Sequence, residues 1–122
     1  MSMDLSKLDN RAIEIKFKKL MLDFNDQLMV LYPHDTDLIL SRMFIRAVDN
    51  SELLTGFKKF VLPAKSLAIN RDIKFFDVAK ENPIAEKYFG KFQTRWSNLL
   101  DENKDKIWQY IQLSVQLAEA HK

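Results

Sequence analysis

Asp9–Pro33, DNRAIEIKFKKLMLDFNDQLMVLYP, is the stretch whose reading decides the fold. Ile13, Phe17, Leu20, Phe24, Leu28 and Leu31 recur at steps of three and four, which places them on one face of an α-helix. The spacing therefore predicts a long first helix. Pro33 cannot continue it, because the ring removes an N–H and pushes the preceding residue out of the α region. The helix is expected to end near Leu31 or Tyr32.

Working outward, His34-Asp35-Thr36-Asp37 supplies side-chain acceptors for the exposed amides of a second helix, with Asp35 or Thr36 as N-cap, running to about Val48. Asp49-Asn50-Ser51-Glu52 repeats that signal, and Leu53, Leu54, Phe57, Phe60 and Val61 continue at helical spacing. Pro63 interrupts KFVLPAKSLAIN, which predicts a third helix kinked near Pro63, the alternative being two helices meeting at Leu62-Pro63. In Ile69–Asp77, INRDIKFFD, Asp72 is expected to cap a short turn. Phe75 and Phe76 anchor that turn with at least one ring in the core, and Asp77 stays in solvent. Pro83 suits the first turn of a further helix, in which Tyr88, Phe92 and Trp96 share a face. Ile107, Trp108, Ile111, Val115 and Ala118 give a last helix. The fold class read from this pattern is all-α: a compact single-domain bundle of five to six helices, with residues 1–8 as a flexible N-terminal tail.

Composition agrees. A chain of 122 residues with 47% hydrophobic and 30% charged residues can bury one core but not two. Two glycines and three prolines are too few for the tight hairpins of an all-β fold. Cysteine is absent, which removes disulfides, thiolate metal sites and cysteine nucleophiles, and points to a reducing compartment. No apolar h-region or bilayer-length apolar run occurs, so neither secretion nor membrane insertion is expected.

The net charge of +2 is unevenly spread. Residues 1–54 hold 7 Lys/Arg against 9 Asp/Glu, residues 55–95 hold 9 against 4, and residues 96–122 hold 3 against 4. In the basic middle, Lys87, Lys91 and Arg95 would form a stripe on one helix beside Tyr88, Phe92 and Trp96. Cations next to aromatic planes suit single-stranded nucleic acid; aromatic residues at helical spacing are also ordinary core, with cations snorkelling from its edge. Lys58, Lys59, Lys65, Arg71 and Lys74 could add to such a surface, or meet an acidic partner. Lys18-Lys19 and Lys58-Lys59 equally suit solvated helix faces, and Met21, Met29 and Met43 suit pliable core filler.

Catalytic motifs are missing. The two histidines, His34 in a turn and His121 at a terminus expected to fray, are poorly placed for a triad or a metal. There is no GxGxxG and no GxxxxGK[ST], and no calcium-type ligand loop accompanies Asp35, Asp37, Asp72 and Asp77. Asp72 and Asp77 as a hydrolytic pair are a weak signal among 17 acids. No catalytic residue, metal or cofactor is expected.

Three elements of residues 17–78 form a loose pattern: Tyr32-Pro33-His34-Asp35 after a helix, Phe57-Lys58-Lys59-Phe60-Val61-Leu62-Pro63, and Asp72-Ile73-Lys74-Phe75-Phe76. This pattern resembles small uncharacterised α-helical proteins of large nucleocytoplasmic DNA viruses. Those relatives often place an acid where this chain has Ile73, so a carboxylate cluster there is not carried over. The resemblance implies a viral source rather than a reaction. The expectation is a non-enzymatic structural or protein-interaction protein, virion-associated or accessory, in the host cytoplasm or virion. Nucleic-acid binding through residues 55–95 is the alternative.

Overall fold

The computed structural model describes residues 8–79, 81, 86 and 95–122. Six α-helices and no strand occur among them: α1 Asn10–Leu31, α2 Thr36–Ala47, α3 Asn50–Val61, α4 Lys65–Ile69, α5 Phe75–Ala79 and α6 Asp101–Ala120. A single 3₁₀ turn, Trp96–Asn98, precedes α6. The first seven residues and most of the Lys87–Trp96 stripe fall outside the described residues.

Caps set the helix boundaries. Asp9 Oδ1 accepts from Ala12 N at 2.8 Å and opens α1, Asp35 Oδ1 accepts from Asp37 N at 3.0 Å and opens α2, and Asp49 Oδ1 accepts from Ser51 N and Glu52 N to open α3. Each satisfies amides that the first helical turn leaves without partners. At the far end of α2, Lys18 Nζ donates to the carbonyl of Val48, so this lysine caps a helix terminus instead of lying in solvent.

The expected kink at Pro63 is a break between two helices. α3 ends at Val61 and α4 starts at Lys65. Between them Ala64 N bonds Val61 O and Lys65 N bonds Leu62 O, both at 3.2 Å. With no N–H at Pro63 to continue the ladder, the chain tightens into an i→i−3 turn and restarts.

INRDIKFFD is a double hinge. Asp72 N bonds Leu67 O at 2.8 Å and Arg71 N bonds Ala68 O at 3.2 Å, the paired closure of a Schellman cap on α4. That closure needs a left-handed residue, and here it is Arg71 at φ 54°, not a glycine. The same Asp72 then turns its carboxylate to Lys74 N at 3.0 Å and its carbonyl to Phe75 N at 2.9 Å, starting the turn into α5. Both Phe75 and Phe76 are fully buried. Phe76 lies 5.3 Å from Trp108 of α6 and 5.3 Å from Trp96, so the short helix is pinned by an aromatic cluster.

α1 runs through the centre, burying Ile13, Phe17, Met21, Phe24 and Leu28. Phe17 meets Phe57 of α3 at 4.9 Å, and Phe24 stacks on Tyr110 of α6 at 4.9 Å with the planes 4° apart.

Two substitutions test this packing by urea denaturation. Phe76→Ala empties the aromatic cluster and should cost about 3–5 kcal/mol, whereas Asp72→Ala, which loses a cap, should cost about 1 kcal/mol. Gly56 sits inside α3, where an added Cβ would meet nothing within 4 Å. Gly56→Ala should therefore stabilise the protein by about 0.5–1 kcal/mol.

Candidate interaction surface

α2 is apolar on two sides. Its inner side buries Leu38, Ser41 and Ile45. Three polar ties to α1 fix its rotation: the fully buried Asn25 donates from Nδ2 to Leu38 O at 3.0 Å, Arg42 Nε meets Asp26 at 2.8 Å, and Lys18 holds the C-terminal end. That rotation leaves Ile39, Leu40, Met43 and Phe44 outside, exposed by 42, 56, 64 and 43%. Their spacing, i, i+1, i+4 and i+5, makes one continuous stripe. A helix apolar all round is ordinarily covered all round, and contiguous apolar exposure, unlike scattered residues, marks an interaction surface.

Met43 thus departs from the expectation of core filler. Met21 is buried and Met29 packs half-buried against the core, but Leu38 and Ile45 take the inward positions of α2 and turn Met43 to the outside.

The basic residues of the middle segment are spread over the molecule. Lys58 Nζ donates to His121 O at 2.8 Å, Lys65 pairs with Glu119 at 2.9 Å, and Arg71 pairs with Asp105 at 2.6 Å. These three follow one another down α6 from its end to its second turn. Hydrogen bonding by Arg71 is the main cause that holds the Asp105 carboxyl below its usual range. Arg95 pairs with Asp35 at 2.9 Å and lays its guanidinium 4.1 Å above the Tyr32 ring. Lys59 and Lys74 are exposed, and Lys87 and Lys91 lie outside the described residues. Lys58 is tied through His121 to Glu14 near one end of α1, and Arg95 sits on Tyr32 at the other, about 27 Å away along the helix. The fold does not bring those two cations together.

His121, expected on a frayed end, closes a clasp. Its Nε2 lies 2.6 Å from Glu14 Oε2, with both side chains mostly buried, and its Nδ1 lies 3.2 Å from Lys58 Nζ. The ammonium can only donate, so Nδ1 accepts and Nε2 carries the proton toward Glu14. Lys122 N adds a bond to Asn10 Oδ1 at 2.9 Å. Nothing within a few residues of His121 in sequence announces partners 63 and 107 positions away.

Two recesses flank the C-terminal half of α1. One, of about 310 Å³, is lined by Leu31, Tyr32, Arg95 and Leu99 among others; the second, about 100 Å³, lies between Phe24, Leu28 and Tyr110. In the first, Arg95, Asn98 and Asn103 supply the polar lining, and Arg95 is paired with Asp35. Burial pushes the Tyr32 phenol up, against the opposing charge of Arg95. Tyr110 donates to Asp23 at 2.6 Å, and burial together with that carboxylate pushes its pKa up to about 12. Among the described residues no group of three or more His, Asp or Glu is placed to hold a metal, and no helix is long and apolar enough to cross a membrane.

No protein-family model, curated protein or solved structure matches the chain. The α2 stripe therefore stands on its own geometry. A signal for it existed in the sequence: Leu38-Ile39-Leu40 and Met43-Phe44-Ile45 supply more apolar positions than one core-facing stripe of twelve residues can absorb.

Tyr110 gives a pH test. Its folded pKa lies above the ordinary value of 10.0, so the unfolded chain releases the proton first. The stability held by the neutral phenol is complete below pH 10 and is lost as pH climbs toward 12. Urea denaturation across that window should show wild type losing stability more steeply than Tyr110→Phe. Phenolate absorbance should show one late-ionising tyrosine fewer in Tyr110→Phe than in wild type.

Proposed function

We propose that this protein is a non-enzymatic structural or protein-interaction protein that docks through the outer face of α2, and that it serves a virus as a virion-associated or accessory component. One observation carries the docking: four large apolar side chains, Ile39, Leu40, Met43 and Phe44, stand exposed in a single stripe on a helix whose rotation is already fixed by Asn25, Arg42 and Lys18. The fold has no use for them there. The viral source is supported by the resemblance of residues 17–78, and by that alone.

The internal pairing of Lys58, Lys65, Arg71 and Arg95 also supports a protein partner over nucleic acid, because those cations already face carboxylates or carbonyls of their own chain. Among the described residues, Lys59 and Lys74 are exposed members of that segment that a nucleic acid could use.

Affinity capture of the tagged full chain from native or infected cells, with partners identified by mass spectrometry, tests the proposal. A specific partner should be retained by wild type and lost by Leu40→Glu/Met43→Glu. Titration with single- and double-stranded DNA and RNA at two salt concentrations should show no sequence-independent binding. Tight binding that falls steeply with salt and disappears in Lys59→Glu/Lys74→Glu would overturn the reading.

A further inference from the structure

Three polar side chains line the larger recess at the end of α1 without a hydrogen-bond partner among the described residues: Tyr32 through its hydroxyl, Asn98 and Asn103 through their carboxamides. Comparable groups elsewhere in the bundle are committed. Tyr110 donates to Asp23 at 2.6 Å, Gln112 to Ala68 O at 3.2 Å and Asn25 to Leu38 O at 3.0 Å. The three uncommitted groups come from elements that meet only in the fold. Tyr32 is the C-cap of α1, Asn98 ends the 3₁₀ turn, and Asn103 lies in the first turn of α6. Burial keeps the Tyr32 phenol protonated beyond its ordinary range, so its hydroxyl stays a donor.

The lining also states what would fit. Arg95, the fourth polar group, pairs with Asp35 at 2.9 Å and lies 4.1 Å above the Tyr32 ring, so its charge is already matched. An ion entering the recess would lose hydration without gaining a counter-ion. A carboxamide sets an N–H donor beside a C=O acceptor, and the group that satisfies both at once is another amide edge. Leu31 and Leu99 add apolar walls. The volume, about 310 Å³, lies near the lower end of the range of small-molecule sites, roughly 300 to 1,000 Å³. The occupant is therefore small.

We propose that this recess binds a small uncharged molecule that joins an amide or lactam edge to an apolar ring, recognised by the carboxamides of Asn98 and Asn103 and the hydroxyl of Tyr32. No residue of the α2 stripe lines it, so the site stands whether or not that stripe docks a partner.

Benzamide is the probe, with acetophenone, benzoate and benzylammonium as analogues that keep the ring and change the polar group. Titration of the full chain, followed by ¹H–¹⁵N correlation spectra, should give saturable benzamide shifts with a Kd of about 1 mM. The shifts should fall on the backbone amides from Asn98 to Asn103 and on the two asparagine side-chain NH₂ groups. Acetophenone, which only accepts, should bind about tenfold more weakly. Benzoate and benzylammonium should bind more weakly still. Asn98→Leu/Asn103→Leu, which keeps the volume and removes the amide edges, should weaken benzamide about tenfold and abolish its advantage over acetophenone. Tyr32→Phe should weaken it severalfold. Unchanged circular dichroism and urea midpoints show that these variants still fold.

Benzamide shifts that do not saturate or that scatter over the surface overturn the proposal. So does equal binding of all four probes, which marks an unspecific apolar contact, and so does benzamide binding that is indifferent to Asn98→Leu/Asn103→Leu.

Discussion

Burial of one stripe of α1 is the constraint on which the rest of the molecule depends. Ile13, Phe17, Met21, Phe24 and Leu28 form a continuous apolar wall along a helix held at its start by Asp9 and stopped by Pro33. α2, α3 and α6 each pack on that helix. Phe57 of α3 closes on Phe17, and Tyr110 of α6 stacks on Phe24. The single amide in the buried surface of α1, Asn25, is spent on Leu38 O. A buried donor without an acceptor costs about 1–3 kcal/mol, so this bond fixes which residues of α2 face inward, and through them which face outward.

The basic middle of the chain acquires a meaning from that arrangement. Lys58, Lys65 and Arg71 descend along α6, and Arg95 returns to Asp35 at the start of α2. Partly exposed pairs of this kind contribute little stability individually, about 0–1 kcal/mol. Their effect is orientation: they align the connecting segments with the terminal helix and leave Lys59 and Lys74 as exposed cations of that stretch. Among the described residues, Lys65, Arg71 and Arg95 of the basic middle each meet a carboxylate of the acidic flanks.

The outer face of α2 adds little to the stability of the single chain, since side chains about half in water bury little apolar surface on folding. Every other demand on α2 is met without them: capping by Asp35 and Lys18, packing by Leu38 and Ile45, rotation by Asn25 and Arg42.

By itself the sequence determined what is written within one or two turns of chain. The all-α class, the long first helix and its end near Leu31 or Tyr32, the capping turns at Asp35-Thr36 and Asp49–Glu52, and the burial of at least one ring of Phe75 and Phe76 all follow from periodicity, proline sterics and side-chain acceptors next to exposed amides. Tertiary structure alone decided the rest. Pro63 could kink one helix or separate two, and the outcome is a break, with α4 packed on α6. Met43 could fill a core or face solvent, and the bond from Asn25 to Leu38, thirteen residues apart in the chain, settled that. His121 is a frayed end by position, yet it is held by Lys58 and Glu14, which lie far off in sequence. In each case the deciding force is a contact between elements distant in the chain, and no local pattern of residue types encodes which elements will meet.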